Sequence, residues 1–521
     1  MTASSTLNTL TVNPGARVSF VDPPSDQPFK TLVMNNLVGT GATFGMNIDL
    51  GQIRGDLVAI LTSSQGLHLI EFSNRDQSED LPVNVALLVV KTADGGAGFS
   101  GETDGGTYKY FVVHGDESTA TPVRNNWYLV RADEITPPQV TPPVDPNPTP
   151  PTTKPPGEFA PGEVGPSPDV VPPTPLSPIN DLTNTANAAI GTYSSTILVY
   201  YADMQTLVER MGELRLGVQA TPGQAPVTSE QVPEGKGGVE SKQVAPVPAP
   251  PPSSEWGIWV RGFGSGMRIN NDASRVFDQN VGGFQIGADK RFGSLWGGDV
   301  YLGVFGGYIY ASRDFRDGGD GSTNALSLGG YATWIHPKGW YVDMVGKYTQ
   351  MWNYFNTPTL EGSISTGYYN IPTFGGSLEI GKRFEFASGR FFIEPEAQLA
   401  GVWENGMNYT ASDGLRVHGD DQTSLRGRLG GRVGMHFDLA QGRAIEPYVR
   451  AEAIEEFLTG NTVTTDSTSF DSHLSGTTGR FGGGLTARIS QSFYIYGEYD
   501  YLTGDHIEQP WSVDAGLRWQ W

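Results

Sequence analysis

Cysteine is absent from this 521-residue chain, and histidine is scarce at seven. No disulfide framework is available, which suits a chain that stays unlocked while crossing an oxidising compartment; reducing compartments tolerate the same lack. No His-x3-His pair occurs, so no dedicated zinc site is visible. Neither a Gly-x-Ser-x-Gly elbow nor a phosphate loop appears, and nothing reads as a catalytic or cofactor site. Long hydrophobic runs are missing too. The longest nearly uncharged helical stretch, Ala188–Ala202, is too short to span a bilayer and is loaded with Ser, Thr and Gly. The chain therefore either avoids the membrane or crosses it with strands. Positive charge is short as well: the net charge of −22 argues against a nucleic-acid partner. Met1–Ser5 has neither a basic start nor an apolar core, so an exported protein with this sequence would carry its leader upstream.

What is present is glycine, 68 residues, with charged residues at only 17%. The chain is too polar for a helical membrane protein and too glycine-rich for an ordinary enzyme. Residues 1–133 read as short strands between Gly, Asn and Asp turns, such as Thr31–Met34, Leu57–Leu61, Val85–Val90 and Trp127–Val130. That pattern suits a parallel β-helix or a β-sandwich. Residues 134–176 form a proline-dense linker that would extend about 120 Å at about 3.1 Å per residue. Residues 177–217 are expected to hold one helix. Ser177-Pro178 reads as its start, Gly191 as a break, and Met204, Leu207, Met211 and Leu214 as its apolar stripe. Glu209, Arg210, Glu213 and Arg215 would carry its charges. A second proline-rich stretch fills 218–255.

Residues 256–521 alternate strand after strand. In the last, Trp511, Val513, Ala515, Leu517, Trp519 and Trp521 share one face, with Ser512, Asp514, Arg518 and Gln520 on the other. Twelve such strands are separated by turns alternately short and long. The long ones are expected near 270–280, 314–323, 353–369, 405–422 and 459–475. Every tryptophan but Trp127 lies here, as aromatic girdles require. An even strand count, alternating loop lengths and dense charges of both signs on the inner face describe a transmembrane barrel. A soluble barrel would invert the two faces. The expected lumen charges are Glu394, Glu396, Arg426, Arg428, Arg432, Glu446, Arg450 and Glu452. They would line a pore constriction or, as the favoured reading, pair with one another and with the helix.

These segments, in this order, resemble the pertactin-like autotransporters of type V secretion. The resemblance rests on Asn126-Trp127-Tyr128-Leu129-Val130 before the linker, Arg210–Arg215, Trp259–Phe263, Phe277–Asp289, Gly330–Trp334, Gly414–Val417, Arg428–Gly430 and the terminal Gly516–Trp521. It implies an all-β chain with one pore helix: an N-terminal parallel β-helix segment and a C-terminal 12-stranded antiparallel transmembrane β-barrel. It also implies an outer-membrane location, an autochaperone role for about Thr31 to Arg131, and Trp519 and Trp521 as the signal read by the barrel-assembly machinery. Periplasmic chaperones and outer-membrane lipid would be further partners. Two departures stand out. Gln205-Thr206 occupies the place where some relatives cut themselves at an Asn-Asn pair, and Gln cyclises far less readily. The stretch Thr221–Ser254 has no counterpart in that pattern.

The expected function is export and display of the chain's own passenger, an adhesin or virulence factor that meets a host surface; the alternative is an enzymatic passenger. A plain porin has no use for a plug helix and a β-helical stem. Arg54-Gly55-Asp56 is an integrin-type tripeptide, but Gly-Asp before a strand is also ordinary turn chemistry. Asp317-Gly-Gly-Asp-Gly resembles one copy of a calcium repeat and is expected to be a loop tip.

Overall fold

Residues 1–21, 28–75, 79–118, 120–121, 123–135, 181–204, 256–316, 318–458 and 461–521 are described in the computed structural model. Near the N-terminus, strands Ser5–Val12, Thr31–Gly39, Leu57–Ser64 and Leu87–Thr92 pair in parallel, each with the next. Strands Arg17–Ser19, Thr43–Asp49, Leu67–Asn74 and Gly98–Ser100 form a second parallel sheet. Contacts between successive coils recur at a spacing of 27 residues, as in Asn8–Asn35 and Phe20–Asn47. The two sheets enclose Leu32, Met34, Leu37, Phe44, Met46, Ile48, Val58, Ile60 and Ile70. This is the β-helix alternative; the sandwich is excluded by the parallel pairing. Two glycines stack at one corner of the coils. A Cβ on Gly39 (φ +111°) would fall 1.9 Å from the Val12 carbonyl oxygen, and one on Gly66 (φ +89°) 2.0 Å from that of Gly39.

The solenoid ends in an antiparallel cap. Glu102–Asp104, Lys109–His114 and Trp127–Arg131 pair in that order, and the last of them pairs with Leu87–Thr92. Leu182 then bridges Tyr108, and the Thr183 amide donates to the Thr107 carbonyl. The chain on the far side of the proline-dense segment thus returns directly to the cap, so stem and barrel are not held apart by the reach that segment would permit.

The barrel strands are Trp256–Ile269, Phe277–Leu295, Gly298–Asp314, Asp320–Ile335, Trp340–Pro358, Ile364–Lys382, Phe391–Glu404, Gln422–Met435, Arg443–Glu456, Gly476–Arg488, Phe493–Gly504 and Ile507–Gln520. Short continuations, Phe384–Phe386 and Phe437–Leu439, extend two of them. First and last strands pair from Gly257↔Gln520 to Ile269↔Ile507, closing a 12-stranded barrel without an edge. Trp511, Val513, Leu517 and Trp519 face outward, while Gln509, Asp514 and Arg518 are buried inside.

Three loops are shorter than the sequence suggested. The Trp340–Pro358 and Ile364–Lys382 pairing runs on to Pro358↔Ile364, the Gly298–Asp314 and Asp320–Ile335 pairing to Asp314↔Asp320, and the next strand after Ile269 begins at Phe277. Backbone ladders continue beyond the apolar band, since their hydrogen bonds do not depend on side-chain polarity. The two longest loops form their own four-stranded sheet: Met407–Thr410, Arg416–Gly419, Thr462–Thr465 and Thr468–Asp471. Pairing between loops so distant in sequence leaves no local signal.

The helix lies inside the barrel at Asn184–Met204. Its N-cap is Thr183, whose Oγ1 accepts the Ala186 amide at 3.1 Å. This corrects two expectations. The described turns, Asn184–Met204, lie ahead of the stripe expected at Met204, Leu207, Met211 and Leu214, of which they include Met204 alone, and the helix runs through Gly191 without a break. Gly191 serves close packing: a Cβ there would lie 3.2 Å from both Phe277 and Phe315. The helix is buried all round, and its apolar residues, Ile190, Tyr193, Ile197 and Tyr200 among them, pack with wall residues such as Phe263, Phe277, Phe315 and Phe355, so no single apolar stripe marks it. Leu207, Glu209, Arg210, Met211, Glu213, Leu214, Arg215, Ser177-Pro178 and Gln205-Thr206 lie outside the described residues.

Candidate functional site

The helix is fastened along its length, beginning at the barrel end that bears the loop sheet. Asn184 Nδ2 donates to the Pro358 carbonyl at 2.9 Å, and Thr185 Oγ1 donates to Asp413 at 2.6 Å. Arg275 donates to the Leu182 carbonyl at 3.0 Å and to Asn184 Oδ1 at 2.9 Å. Two to three turns deeper, at about 3.6 residues per turn, Asn271 donates to Ser194 at 2.6 Å, and Arg313 to Ser195 at 2.7 Å. Thr196 donates to Glu404 at 2.5 Å, and Gln422 Nε2 to the Tyr193 carbonyl at 2.9 Å. The helix thus combines apolar packing against the wall with hydrogen bonds from its serines, threonines and asparagines to the polar groups between.

The C-terminal turn is held most tightly. The fully buried Lys347 ammonium pairs with Asp203, donates to the Tyr200 carbonyl at 2.6 Å and lies 3.8 Å from the Tyr200 ring centre. Gln285 Nε2 donates to the other Asp203 oxygen at 2.9 Å. A cation on the last carbonyls and an anion on the last turn together leave neither charge uncompensated. Arg426 covers the Tyr201 ring at 3.9 Å and stands 3.6 Å from Glu456. Gaps beside the helix are small, about 40 Å³ near Leu198 and Phe263 and about 10 Å³ near Met204 and Arg428.

Below Met204 lies a buried charge network. Arg428 reaches Glu379 at 2.6 Å, Glu452 at 3.4 Å and Glu396 at 3.8 Å. Arg432 reaches Glu394 at 2.9 Å and Glu396 at 4.0 Å. Arg450 reaches Glu498 at 2.5 Å, and Arg480 joins Glu452, Glu498 and Asp500. Glu446 stands apart, paired with Arg383 at 2.6 Å and with His436 at 2.7 Å. The structure therefore brings together Glu394, Glu396, Arg428, Arg432, Arg450 and Glu452, while Arg426 belongs with the helix. Sequence reasoning missed Lys347, Asp203, Gln285 and Glu404. Their one signal was a lone lysine at an inward position among uncharged neighbours.

Trp519 and Trp521 point outward with ring centres 4.8 Å apart, and Trp521 exchanges backbone hydrogen bonds with Trp256 at the seam. Of the Arg54-Gly55-Asp56 tripeptide, Arg54 and Gly55 are half-buried and the aspartate is turned inward. Asp56 is fully buried and accepts the Lys30 amide at 2.7 Å, the Asn47 amide at 2.8 Å and Asn47 Nδ2 at 2.7 Å. The carboxylate that an integrin would have to reach is engaged in holding the turn. Among the described residues no group of three or more His, Asp or Glu side chains could hold a metal ion.

The solenoid cap rests on the barrel's loops. Thr107 donates to the Thr465 carbonyl at 3.0 Å, Thr103 to Glu361 at 2.8 Å, and the Leu360 amide to Asp104 at 2.7 Å. Arg416 pairs with Glu79 at 3.1 Å. Burial pushes Asp104 up to about 7, with the Glu361 and Asp413 charges adding to the rise. Asp466 is likewise pushed up to about 7 by burial, and by Asp80 and Glu79.

Comparison with known proteins bears on both halves. Residues 258–500 match the family described as autotransporter beta-domain, and residues 7–131 the family described as pertactin. The chain is 34% identical over 532 residues to a pertactin autotransporter of Bordetella bronchiseptica, covering 100% of this chain and 52% of the relative. It is 28% identical over 505 residues to the autotransporter adhesin/invasin TibA of Escherichia coli, covering 94% of this chain and 46% of the relative. The crystal structure of the beta domain of the Bordetella autotransporter BrkA is 32% identical, with a TM-score of 0.44, covering 51% of this chain and 100% of that one. The chain thus spans about half the length of the curated relatives it matches. With a pertactin match ahead of a beta-domain match on one chain, and a pertactin autotransporter similar along its whole length, the chain belongs to the pertactin-like autotransporters, outer-membrane translocators that display their passenger at the cell surface.

Proposed function

We propose that this chain is the stem and translocator of a surface adhesin or related virulence factor, carried outward by its own barrel and acting without catalysis. The observation that carries the reading is the path of the chain. Among the described residues the solenoid cap sits at the loop end of the barrel, the helix enters the lumen there and is described down to Met204, beside the Lys347–Asp203 pair, and the first strand begins at the opposite rim. A chain that had been threaded outward would be left in this arrangement. The transport step needs no cofactor in this reading: folding of the stem outside supplies the driving force, and the barrel-assembly machinery and periplasmic chaperones deliver the barrel. The relative named an adhesin/invasin supports adhesion as the purpose.

The test is a binding assay with cells displaying the full-length protein on cultured host cells. Adhesion should fall to background when the passenger upstream of the stem is removed, while the stem remains detectable on intact cells. Undiminished adhesion would refute the adhesin role; loss of stem display would refute the division into a binding head and an exporting base.

A further inference from the structure

Two barrel strands carry, near the short-turn rim, the same three residues: Lys290-Arg291-Phe292, after which the strand runs on to Leu295, and Lys382-Arg383-Phe384, which links a strand ending at Lys382 to its short continuation. The pleat divides each triplet. Arg291 turns inward to Asp299 at 3.1 Å, and Arg383 to Glu446 at 2.6 Å. Lysine and phenylalanine turn outward. Each lysine stands across the ladder from a tryptophan that opens the neighbouring strand, Trp256↔Lys290 and Trp340↔Lys382. Lys290 Nζ lies 4.8 Å from the Trp256 ring centre and 5.8 Å from that of Phe292. Lys382 Nζ lies 4.9 Å from Trp340 and 4.4 Å from Phe384. All four rings are exposed on the outer surface.

These ammonium groups differ from other cations at the same rim. Arg443 Nε donates to the Ala440 carbonyl at 3.1 Å, and Arg488 Nε to the Gly442 carbonyl at 2.9 Å, so both are engaged by the turns. No carboxylate among the described residues pairs with Lys290 or Lys382. The ring faces supply attraction but no countercharge. The solenoid marks the opposite rim as the cell-surface side, so this rim faces the periplasm, with its tryptophans at headgroup depth. A lysine there keeps its stem along the apolar surface and its charge in the interface. The anion available at that depth is a lipid phosphate.

We propose that Lys290 with Trp256 and Phe292, and Lys382 with Trp340 and Phe384, form two binding sites for glycerophospholipids of the periplasmic leaflet. The ammonium takes the phosphate, and the two rings flank the glycerol and the first carbons of the acyl chains. The repeat places two such anchors on one side of the barrel, between its first and sixth strands, and ties that rim to one depth in the bilayer.

The test is native mass spectrometry of the full chain in an uncharged detergent with dioleoyl phosphatidylglycerol as the probe. The unaltered protein should retain two tightly bound lipids. Lys290→Gln and Lys382→Gln should each lose one, with binding about fivefold weaker at the altered site. The double variant should lose both, and Lys→Arg at each position should restore them. Circular dichroism and the heat-shifted gel mobility of the barrel should stay unchanged in every variant. The same lipid count in the double glutamine variant would overturn the proposal. So would equal retention of dioleoylglycerol, which would mean apolar adhesion only, or displacement by inorganic phosphate alone, which would mean a free-anion site.

Discussion

Strand Thr43–Asp49 of the solenoid and strand Ile507–Gln520 of the barrel both alternate every second residue, yet they sort their side chains oppositely. The first turns Phe44, Met46 and Ile48 inward to a closed apolar core. The second turns Trp511, Val513, Leu517 and Trp519 outward and buries Asp514 and Arg518. In the solenoid, each coil satisfies its neighbour, so stability is local and nearly additive. In the barrel, the apolar face is satisfied by lipid, and the inner face only by charges on other strands and on the helix. A defect in the solenoid should therefore stay where it is made, and one in the lumen should be felt far along the chain.

The largest effect should come from the barrel's seam. Trp521 pairs with Trp256 to finish the closing ladder and offers its ring to lipid. Deleting it, or substituting Trp521→Asp, should leave little assembled barrel, read as loss of the heat-shifted gel band and of stem display. Assembly at the normal level would show that closure does not depend on this residue.

Next in size is the lumenal latch. Lys347→Met leaves the Asp203 charge buried without its partner and should cost about 3–5 kcal/mol. The barrel melting temperature should fall and ion conductance in planar bilayers should rise as the helix loosens. Lys347→Met with Asp203→Leu should recover most of the stability, because the pair rather than either charge is what the lumen requires. Independent, additive effects of the two substitutions would mean the latch is not a unit.

Asp56 tests the solenoid side of the comparison. Asp56→Ala leaves the Lys30 and Asn47 amides buried without an acceptor and should cost about 3 kcal/mol. Hydrogen exchange should quicken in the coils around Asn47, while the barrel melts as before. A matching drop in barrel melting would show that the two regions are coupled more strongly than their architectures suggest.

The smallest effect should appear where the two regions touch. Asp104, facing Glu361, Asp413 and Lys109, and Asp466, facing Arg416, Asp80 and Glu79, both titrate at about 7 in the seated stem, against an ordinary value of 3.8. The seated form holds these protons more tightly than the free one. Their contribution to seating is thus whole below about pH 4 and is lost as the pH rises through about 7. Spin labels on the stem cap and loop sheet should report a narrower distance distribution at about pH 5 than at about pH 8. The opposite trend would mean the carboxylates are ionised in the seated form.

The barrel was legible because its alternation repeats in every strand and its turns alternate in length. The register of inward charges, such as Glu394 and Arg432, followed directly from the pleat. The helix was less legible. Its apolar periodicity is poor where it is enclosed, at Asn184–Met204, and stronger downstream, where Leu207, Met211 and Leu214 drew the expectation. The strand Thr43–Asp49 was passed over because Gly45 and Asn47 dilute its pattern.

By itself, then, the sequence determined strand-by-strand facing: which residues look to lipid, which to the lumen, and that charges of both signs meet inside. That follows from a period of two, which needs no knowledge of neighbours. Only the tertiary structure decided who pairs with whom. Lys347 finds Asp203 across 144 residues, Thr107 finds Thr465 across 358, and two loops become one sheet. Such contacts depend on barrel closure, which brings distant positions to one height of one lumen, and chain order alone carries no trace of that height.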